Sequence, residues 1–105
     1  MVTRGGVYWV DLDKRRPCIV VSSSDVLGVD VWQTHVVPLT SNVERAGLAG
    51  NVLLDASATG LPKASVAVPL GLELVDRAWL DSRVGQLPAA LVTALDDGIR
   101  AVLGL

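Results

Sequence analysis

Two short stretches carry the residues best suited to chemistry on a phosphodiester. The first is RRPCIVV at residues 15–21, in which a basic pair opens an apolar strand. The second is VVPLTSN at residues 36–42, in which a similar strand ends in hydroxyl and amide side chains. If the two strands are neighbours, one groove holds both fixed positive charge and hydroxyl donors. A ribonuclease that stabilises transition-state charge without a metal is therefore the leading hypothesis.

Arg16 is the candidate catalytic cation, because a guanidinium stays charged and binds phosphate oxygens through a fork of donors. Pro17 restrains the backbone of Arg16 toward the extended region, so the direction in which the Arg16 side chain starts is defined. Thr40 is the candidate hydroxyl donor to the same phosphate. Local sequence leaves two alternatives open: a solvated charge for Arg16, and ordinary turn hydrogen bonds for Thr40, Ser41 and Asn42.

The chain has few residues that could support other catalytic chemistries. It has one histidine, His35, and one cysteine, Cys18, so one subunit cannot hold a two-histidine ribonuclease site, and a zinc site lacks ligands. Cys18 lies inside an apolar run and is expected to be a small buried hydrophobe. Asp11 and Asp13 could bind magnesium, but acids of this kind are common at strand ends. We therefore predict neither a metal nor a cofactor.

The composition predicts a single cytoplasmic domain over residues 1–105. That length is enough for one domain, and half of the residues are hydrophobic. The sequence has no apolar run long enough for a membrane helix and no apolar leader, and its lone cysteine fits a reducing compartment. The net charge is −2, so an RNA site in this chain must be a local basic patch.

Alternating and apolar runs predict a mainly β protein. The predicted strands lie at residues 7–12, 18–22, 31–40, 51–54, 65–72 and 83–87, with a loop at 23–30 and one helical turn at 76–81. In the third strand, alternation places Thr34, Val36 and Thr40 on one face, and His35 and Val37 on the other. Pro69 and Gly71 interrupt the fifth strand.

A C-terminal helix is predicted over residues 88–103, with Pro88 at its first position. Its apolar stripe consists of Leu91, Leu95, Ile99, Val102 and Leu103. Gly98 is expected to weaken it by about 1 kcal/mol relative to alanine. Together, these elements predict a strongly curved antiparallel sheet covered by one main helix.

The chain resembles the MazF/PemK-type toxins of bacterial toxin–antitoxin systems. The similarity runs in order through residues 4–12, 15–21, 36–42, 50–54, 60–66, 83–87 and 101–105. The resemblance implies an SH3-like barrel, a homodimer, and metal-independent cleavage of single-stranded RNA, often mRNA, at short sequence motifs. It implies products that end in a 2′,3′-cyclic phosphate and a 5′-hydroxyl.

The resemblance also implies roles for individual residues. Arg16 matches the family's catalytic arginine and Thr40 its catalytic threonine, but no residue is assigned as the base that activates the 2′-hydroxyl. The predicted RNA-binding residues beside them are Lys14, Arg15, Ser41 and Asn42. A flexible acidic antitoxin segment is the implied protein partner, and its predicted contacts are Lys14, Arg15, Trp32 and Trp79.

Two features depart from the family pattern. Many relatives carry a longer loop where this chain has only residues 13–15, and many have glutamine and arginine where this chain has Gly71 and Glu73. Two alternatives to a nuclease stay open at this point. One is a toxin of the CcdB type that binds DNA gyrase and cuts nothing, and the other is an SH3-like interaction module without catalytic activity.

Overall fold

The computed structural model describes residues 2–29 and 31–105, and its main feature is a strongly curved antiparallel sheet with a C-terminal helix, as predicted. The strands are β1 (Gly6–Asp11), β2 (Arg15–Val20), β3 (Gln33–Thr40), β4 (Val52–Leu54), β5 (Ser65–Ala67), β6 (Glu73–Asp76) and β7 (Leu80–Gln86). The helices are α1 (Ser24–Leu27), α2 (Ala56–Thr59) and α3 (Ala89–Leu103), with 3-10 turns at Val43–Gly47, Pro69–Gly71 and Arg77–Trp79. The strand order is β4-β5-β3-β2-β1-β7, and β6 pairs with β3.

β1 and β2 form a hairpin whose connection is only residues 12–14. The amide of Leu12 donates to the carbonyl of Lys14 at 3.3 Å, and Asp11 lies opposite Arg15 in the register. β2 therefore begins at Arg15, three residues earlier than predicted, because the tight turn lets both arginines pair with β1. The short first loop predicted from the sequence is thus present.

β3 is the central strand, and it has apolar neighbours on both faces. Val37 and Leu39 belong to the larger core, which lies on the face covered by α3 and includes Leu95. Val36 belongs to a second core on the other face, together with Cys18. The predicted alternation of β3 is confirmed by these two cores.

The predicted fifth strand is divided in the structure. β5 ends at Ala67, and the chain turns through Pro69–Gly71 before β6 begins at Glu73. Pro69 has no amide proton for a ladder, and the amide of Leu72 closes the turn by donating to the Pro69 carbonyl at 3.0 Å. The predicted interruption at Pro69 and Gly71 is therefore confirmed, but the strand ends there instead of continuing to Leu72, and β6 was missed.

Smaller differences concern short helices and element ends. Ser23, expected in a loop, caps α1 by accepting the amide of Val26 at 3.2 Å. The helical turn around Trp79 is confirmed as the 3-10 turn Arg77–Trp79, and the last strand begins at Leu80 rather than Arg83. Within the described ranges, no helix is both long and apolar enough to cross a membrane.

The C-terminal helix is confirmed, with one correction to its start and two to its packing. Pro88 precedes the first helical residue instead of occupying it, and Leu103 is 51% exposed because the helix end extends past the core. Val92, absent from the predicted stripe, packs against the larger core. Gly98 is buried, and a Cβ there would overlap the carbonyl oxygen of Gly50. The close approach of the two backbones requires glycine at this position.

Candidate active-site groove

A groove of about 360 Å³ lies beside the carboxyl end of β3. It is bounded by the β1–β2 hairpin, the end of β3 and the turn before β5. Its lining residues are Trp9, Lys14, Arg16, Pro17, Leu39, Thr40, Ser41, Leu61, Pro62, Lys63 and Ser65. The apolar members form walls that a base or sugar could contact, while the cations and hydroxyls could bind phosphate.

Strand register brings Arg16 and Thr40 to this groove. Cys18 lies opposite Pro38 in the β2–β3 pairing, and the same antiparallel register extended by two residues places Arg16 opposite Thr40. Both side chains line the groove. Thus two residues 24 positions apart in sequence meet at one site, as the hypothesis of neighbouring strands requires.

The Arg16 side chain is only loosely paired. Its Nε lies 3.9 Å from Oδ1 of Asp13, and 38% of the side chain is exposed. At this distance the carboxylate makes no hydrogen bond with good geometry. The guanidinium can therefore turn its donors toward a phosphate bound in the groove.

Thr40 is oriented by the turn that follows β3. Its Oγ1 accepts the amide proton of Asn42 at 3.2 Å. Because that oxygen already accepts one hydrogen bond, its own proton points elsewhere and can be donated to a phosphate oxygen. The local turn chemistry and the proposed phosphate contact are therefore compatible.

The cations of the groove outnumber its acids. Lys14, Arg16 and Lys63 line it, and none of its described lining residues is a carboxylate. Two hydroxyl residues, Ser41 and Ser65, lie beside them. A chain of net charge −2 thus contains the local basic patch that an RNA site requires.

Two of the predicted RNA-binding residues do not line the groove. One Nη of Arg15 forms a short ion pair with Asp81, and the guanidinium stacks over the Trp9 ring at 5.3 Å from its centroid. Asn42 instead starts the following 3-10 turn, where its Oδ1 accepts the amide of Glu44 at 3.3 Å. Lys14 and Ser41, by contrast, lie in the groove beside Arg16 and Thr40.

The two tryptophans predicted to contact an antitoxin are on the surface outside the groove lining. Trp32 is 67% exposed and Trp79 is 43% exposed. They belong to neighbouring segments, because the amide of Arg77 donates to the carbonyl of Trp32 at 2.8 Å. An antitoxin that contacted both Lys14 and these rings would have to extend beyond the groove.

Lys63 and Ser65 are groove residues that the sequence reasoning did not identify. They lie in residues 60–66, one of the stretches similar to the MazF/PemK-type toxins, but the composition of this stretch indicated only a turn and a strand. Its position against the end of β3 depends on pairing between β3 and β5, where Thr40 faces Val66. Similarity over 60–66 was the signal that could have pointed to a site.

Cys18 and His35 have surroundings unlike those of catalytic residues in the groove. Burial, followed by the nearby Glu73 carboxylate, raises the pKa of the Cys18 thiol to about 12, against a smaller lowering by Arg16. Cys18 is fully buried in the second core, which confirms it as a small buried hydrophobe. His35 Nδ1 lies 3.2 Å from Ser22 Oγ, and both residues line a different cavity of about 390 Å³.

In the described part of the chain, no three His, Cys, Asp or Glu side chains are grouped to hold a metal ion.

Comparisons with known proteins give a consistent result. Residues 3–103 match the family described as PemK-like, MazF-like toxin of type II toxin–antitoxin system. Endoribonuclease MazF6 of Mycobacterium tuberculosis and endoribonuclease MazF2 of Mycobacterium bovis are each 34% identical over 113 residues, covering 100% of this chain and 99% of the relative.

Solved structures support the same fold. The Mycobacterium tuberculosis toxin MazF-mt6 superposes with a TM-score of 0.84 at 27% identity, covering 95% of this chain and 97% of that one. An endoribonuclease from a mycobacterial species, solved in complex with its cognate antitoxin, has a TM-score of 0.87 at 22% identity and covers 100% and 97% of the two chains. A gyrase-binding toxin or a plain interaction module is not favoured by these matches. The chain belongs to the PemK-like, MazF-like family of toxins of type II toxin–antitoxin systems.

Proposed function

We propose that this chain is a toxin that acts as a sequence-specific endoribonuclease on single-stranded RNA, most often mRNA. The observation that carries the proposal is the placement of Arg16 and Thr40 in one groove with two lysines and no carboxylate among its described lining residues. Family membership and the endoribonuclease activity named for the mycobacterial relatives support the same reaction class.

The proposed reaction is an internal transfer within the RNA backbone and needs no metal. The 2′-oxygen attacks the adjacent phosphorus and loses its proton, the new 2′-O–P bond closes a 2′,3′-cyclic phosphate, and the bond to the 5′-oxygen breaks. The leaving oxygen gains a proton and becomes a 5′-hydroxyl. Negative charge on the phosphorane grows during this step, and fixed donors aimed at it lower the barrier.

Arg16 and Thr40 have distinct parts in this reaction. The Arg16 guanidinium offers paired donors to the phosphorane oxygens. The Thr40 hydroxyl, oriented by the Asn42 amide, fixes the phosphate between the strands. A guanidinium stays protonated, so Arg16 acts by charge stabilisation and not as the base that removes the 2′-proton.

The test is cleavage of a long unstructured RNA by the purified protein in the presence of EDTA, with new 5′ ends mapped by sequencing. We expect cuts at one repeated short motif, with 5′-hydroxyl ends, and their loss in Arg16→Ala. Arg100→Ala serves as a matched control, because Arg100 pairs with Asp97 on α3 and lies outside the groove. An absence of cuts across RNAs that sample all short motifs would contradict the nuclease function.

A cognate antitoxin is the protein partner that the proposal implies. The family pairs toxins with antitoxins, and solved complexes of relatives contain them. For this chain we propose a flexible acidic segment that folds on binding and contacts Lys14, Arg15, Trp32 and Trp79. Trp32 and Trp79 offer exposed rings for such a segment, whereas Arg15 would have to exchange Asp81 for an antitoxin carboxylate.

A homodimer in the cytoplasm completes the proposal. Exposed leucines supply apolar surface of the kind that subunit interfaces cover; they are Leu48, Leu53, Leu70, Leu74, Leu103 and Leu105. Sedimentation equilibrium should give twice the chain mass of 11.0 kDa. A single-chain mass at micromolar concentration would contradict the dimer.

A further inference from the structure

Lys63 is the groove cation that neither the catalytic pair nor the β1–β2 hairpin supplies. We propose that Lys63 binds an RNA phosphate next to the scissile one and so holds the strand in register for cleavage. This inference rests on the proposed ribonuclease function and assigns a substrate-binding residue to the same groove.

The position of Lys63 follows from strand order. β3 has β2 on one edge and β5 on the other, and Thr40 lies opposite Val66 of β5. Lys63 lies two residues before the start of β5, so it approaches Thr40 from the side opposite to Arg16. Neighbouring strands are spaced by about 4.8 Å, so the strands on the two sides of β3 lie about 10 Å apart. Lys63 is therefore placed for a different phosphate from the one that Arg16 and Thr40 hold.

The turn that carries Lys63 is fixed to the rest of the sheet. Gly60 has a φ of +84°, and a Cβ there would overlap the carbonyl oxygen of Val84 on β7. Leu61 is buried in the larger core, and its amide donates to Thr59 Oγ1 at 3.1 Å. Because the anchors lie within three residues of Lys63, its backbone is held in place while its side chain extends into solvent.

The charge of Lys63 is available to a ligand. In the part of the chain that the structure describes, four of the other eight cations have a carboxylate within 4 Å, namely Arg4, Arg15, Arg16 and Arg100. Among the described residues, Lys63 takes part in none of the ion pairs. An ammonium on a flexible stem binds phosphate as a point charge, and each such contact on a single strand releases condensed counterions.

The test compares wild type with Lys63→Gln, Lys63→Arg and Arg100→Gln at several salt concentrations, using an RNA oligonucleotide that contains the mapped cleavage motif. Lys63→Gln and Arg100→Gln remove the same charge, but only Lys63 lines the groove. Losing one phosphate contact should raise KM about fourfold at roughly 0.15 M salt and about eightfold at roughly 0.05 M. The slope of log KM against log salt concentration should fall by about 0.7. We expect kcat to change little, Lys63→Arg to restore KM, and the melting temperature to stay constant.

A second readout separates this inference from the cleavage chemistry. Binding of unstructured oligonucleotides with 2′-O-methyl sugars, which cannot be cut and whose choice needs no mapped motif, is measured by fluorescence anisotropy. If wild type binds but never cuts RNA, and Lys63→Gln alone weakens binding, the Lys63 site stands and the catalytic proposal falls. If Lys63→Gln and Arg100→Gln have equal KM, equal affinity and equal salt slope, Lys63 does not contact RNA and the inference is overturned.

Discussion

Two adjacent arginines, Arg15 and Arg16, have different surroundings in the structure. Successive side chains of a strand point to opposite faces, so only one of the pair can enter a given groove. Arg16 enters the groove, whereas Arg15 stacks on Trp9 and pairs with Asp81. The sequence predicted that a basic pair lies at the site. It could not predict that Arg15 pairs with Asp81, because Asp81 lies on β7, 66 residues away.

Replacement of Thr40 tests whether its hydroxyl contributes to the reaction. Thr40→Val keeps the shape but removes the proposed donor, and loss of one such donor typically lowers kcat by about 10²–10³. Thr40→Ser should retain most of the activity, because it keeps the hydroxyl that also accepts the Asn42 amide. The measurement is single-turnover cleavage of a motif-containing RNA, with melting temperatures recorded in parallel.

Thr93→Val is the control for Thr40→Val. Thr93 lies on α3, where its hydroxyl donates to the Ala89 carbonyl at 3.2 Å, outside the groove. Its replacement should leave cleavage unchanged. Equal rates for Thr40→Val and wild type would show that the Thr40 hydroxyl has no part in the chemistry.

The buried thiol of Cys18 predicts a specific alkaline weakening of the fold. Its pKa rises from 9.0 to about 12 on folding, so between these values the unfolded chain has lost the proton that the folded chain keeps. Protonated Cys18 therefore contributes stability fully below pH 9, and this contribution falls by about 1.4 kcal/mol per pH unit as pH rises above it. Urea unfolding at pH 8 to 10.5 measures the slope.

Cys18→Ala isolates the thiol from the other groups that titrate at high pH. The variant loses some packing at every pH, but its free energy of unfolding should fall less steeply with pH than that of wild type. Parallel pH profiles for the two proteins would contradict a buried neutral thiol.

At the scale of elements, local patterns predicted those parts of the fold that depend on neighbouring residues. β-Branched and aromatic residues identified β1, alternation gave the two faces of β3, and apolar spacing identified α3. β6 was missed because its four residues follow a proline–glycine turn and gain their order only by pairing with Gln33–Val36 of β3. Lys63 was missed for a similar reason, since the groove forms only when β5 pairs with β3.

Gly98 shows how a contact between elements reverses a rule of helix propensity. In an isolated helix, Gly98→Ala would stabilise by about 1 kcal/mol. Here a Cβ would overlap the Gly50 carbonyl oxygen and also approach Pro69 Cγ at 3.2 Å. We expect Gly98→Ala to destabilise by about 1–3 kcal/mol, as overpacking does in other cores, measured by urea unfolding.

Asp97→Ala is the neighbouring control on the same helix. Asp97 is exposed, and its ion pair within residues 2–29 and 31–105 is with Arg100, at 3.0 Å and three residues along the helix. Exposed pairs of this kind contribute about 0–1 kcal/mol, so its replacement should change stability little. A stabilised Gly98→Ala would mean that α3 does not approach Gly50 as closely as the structure shows.

At the scale of the whole molecule, the distribution of charge matters more than the total. The chain has nine Lys and Arg residues against eleven Asp and Glu residues, so its distant field is weakly acidic and does not attract RNA. The groove, however, is lined by three cations and, among its described residues, no acid. RNA and an acidic peptide share the negative charge that this groove binds.

This shared requirement predicts competition between RNA and an acidic antitoxin segment for one surface. A peptide of alternating glutamate and leucine should inhibit RNA cleavage by raising KM without lowering kcat, because carboxylates would pair with Lys14, Arg16 and Lys63. A peptide of the same length with glutamine in place of glutamate controls for apolar contacts with Trp9 and Pro62. Inhibition should weaken as salt rises, since exposed charges are screened over about 8–10 Å at roughly 0.1–0.15 M salt. If the acidic peptide bound, as measured by anisotropy, while cleavage kept the same KM, the peptide would occupy another surface and the two ligands would not compete.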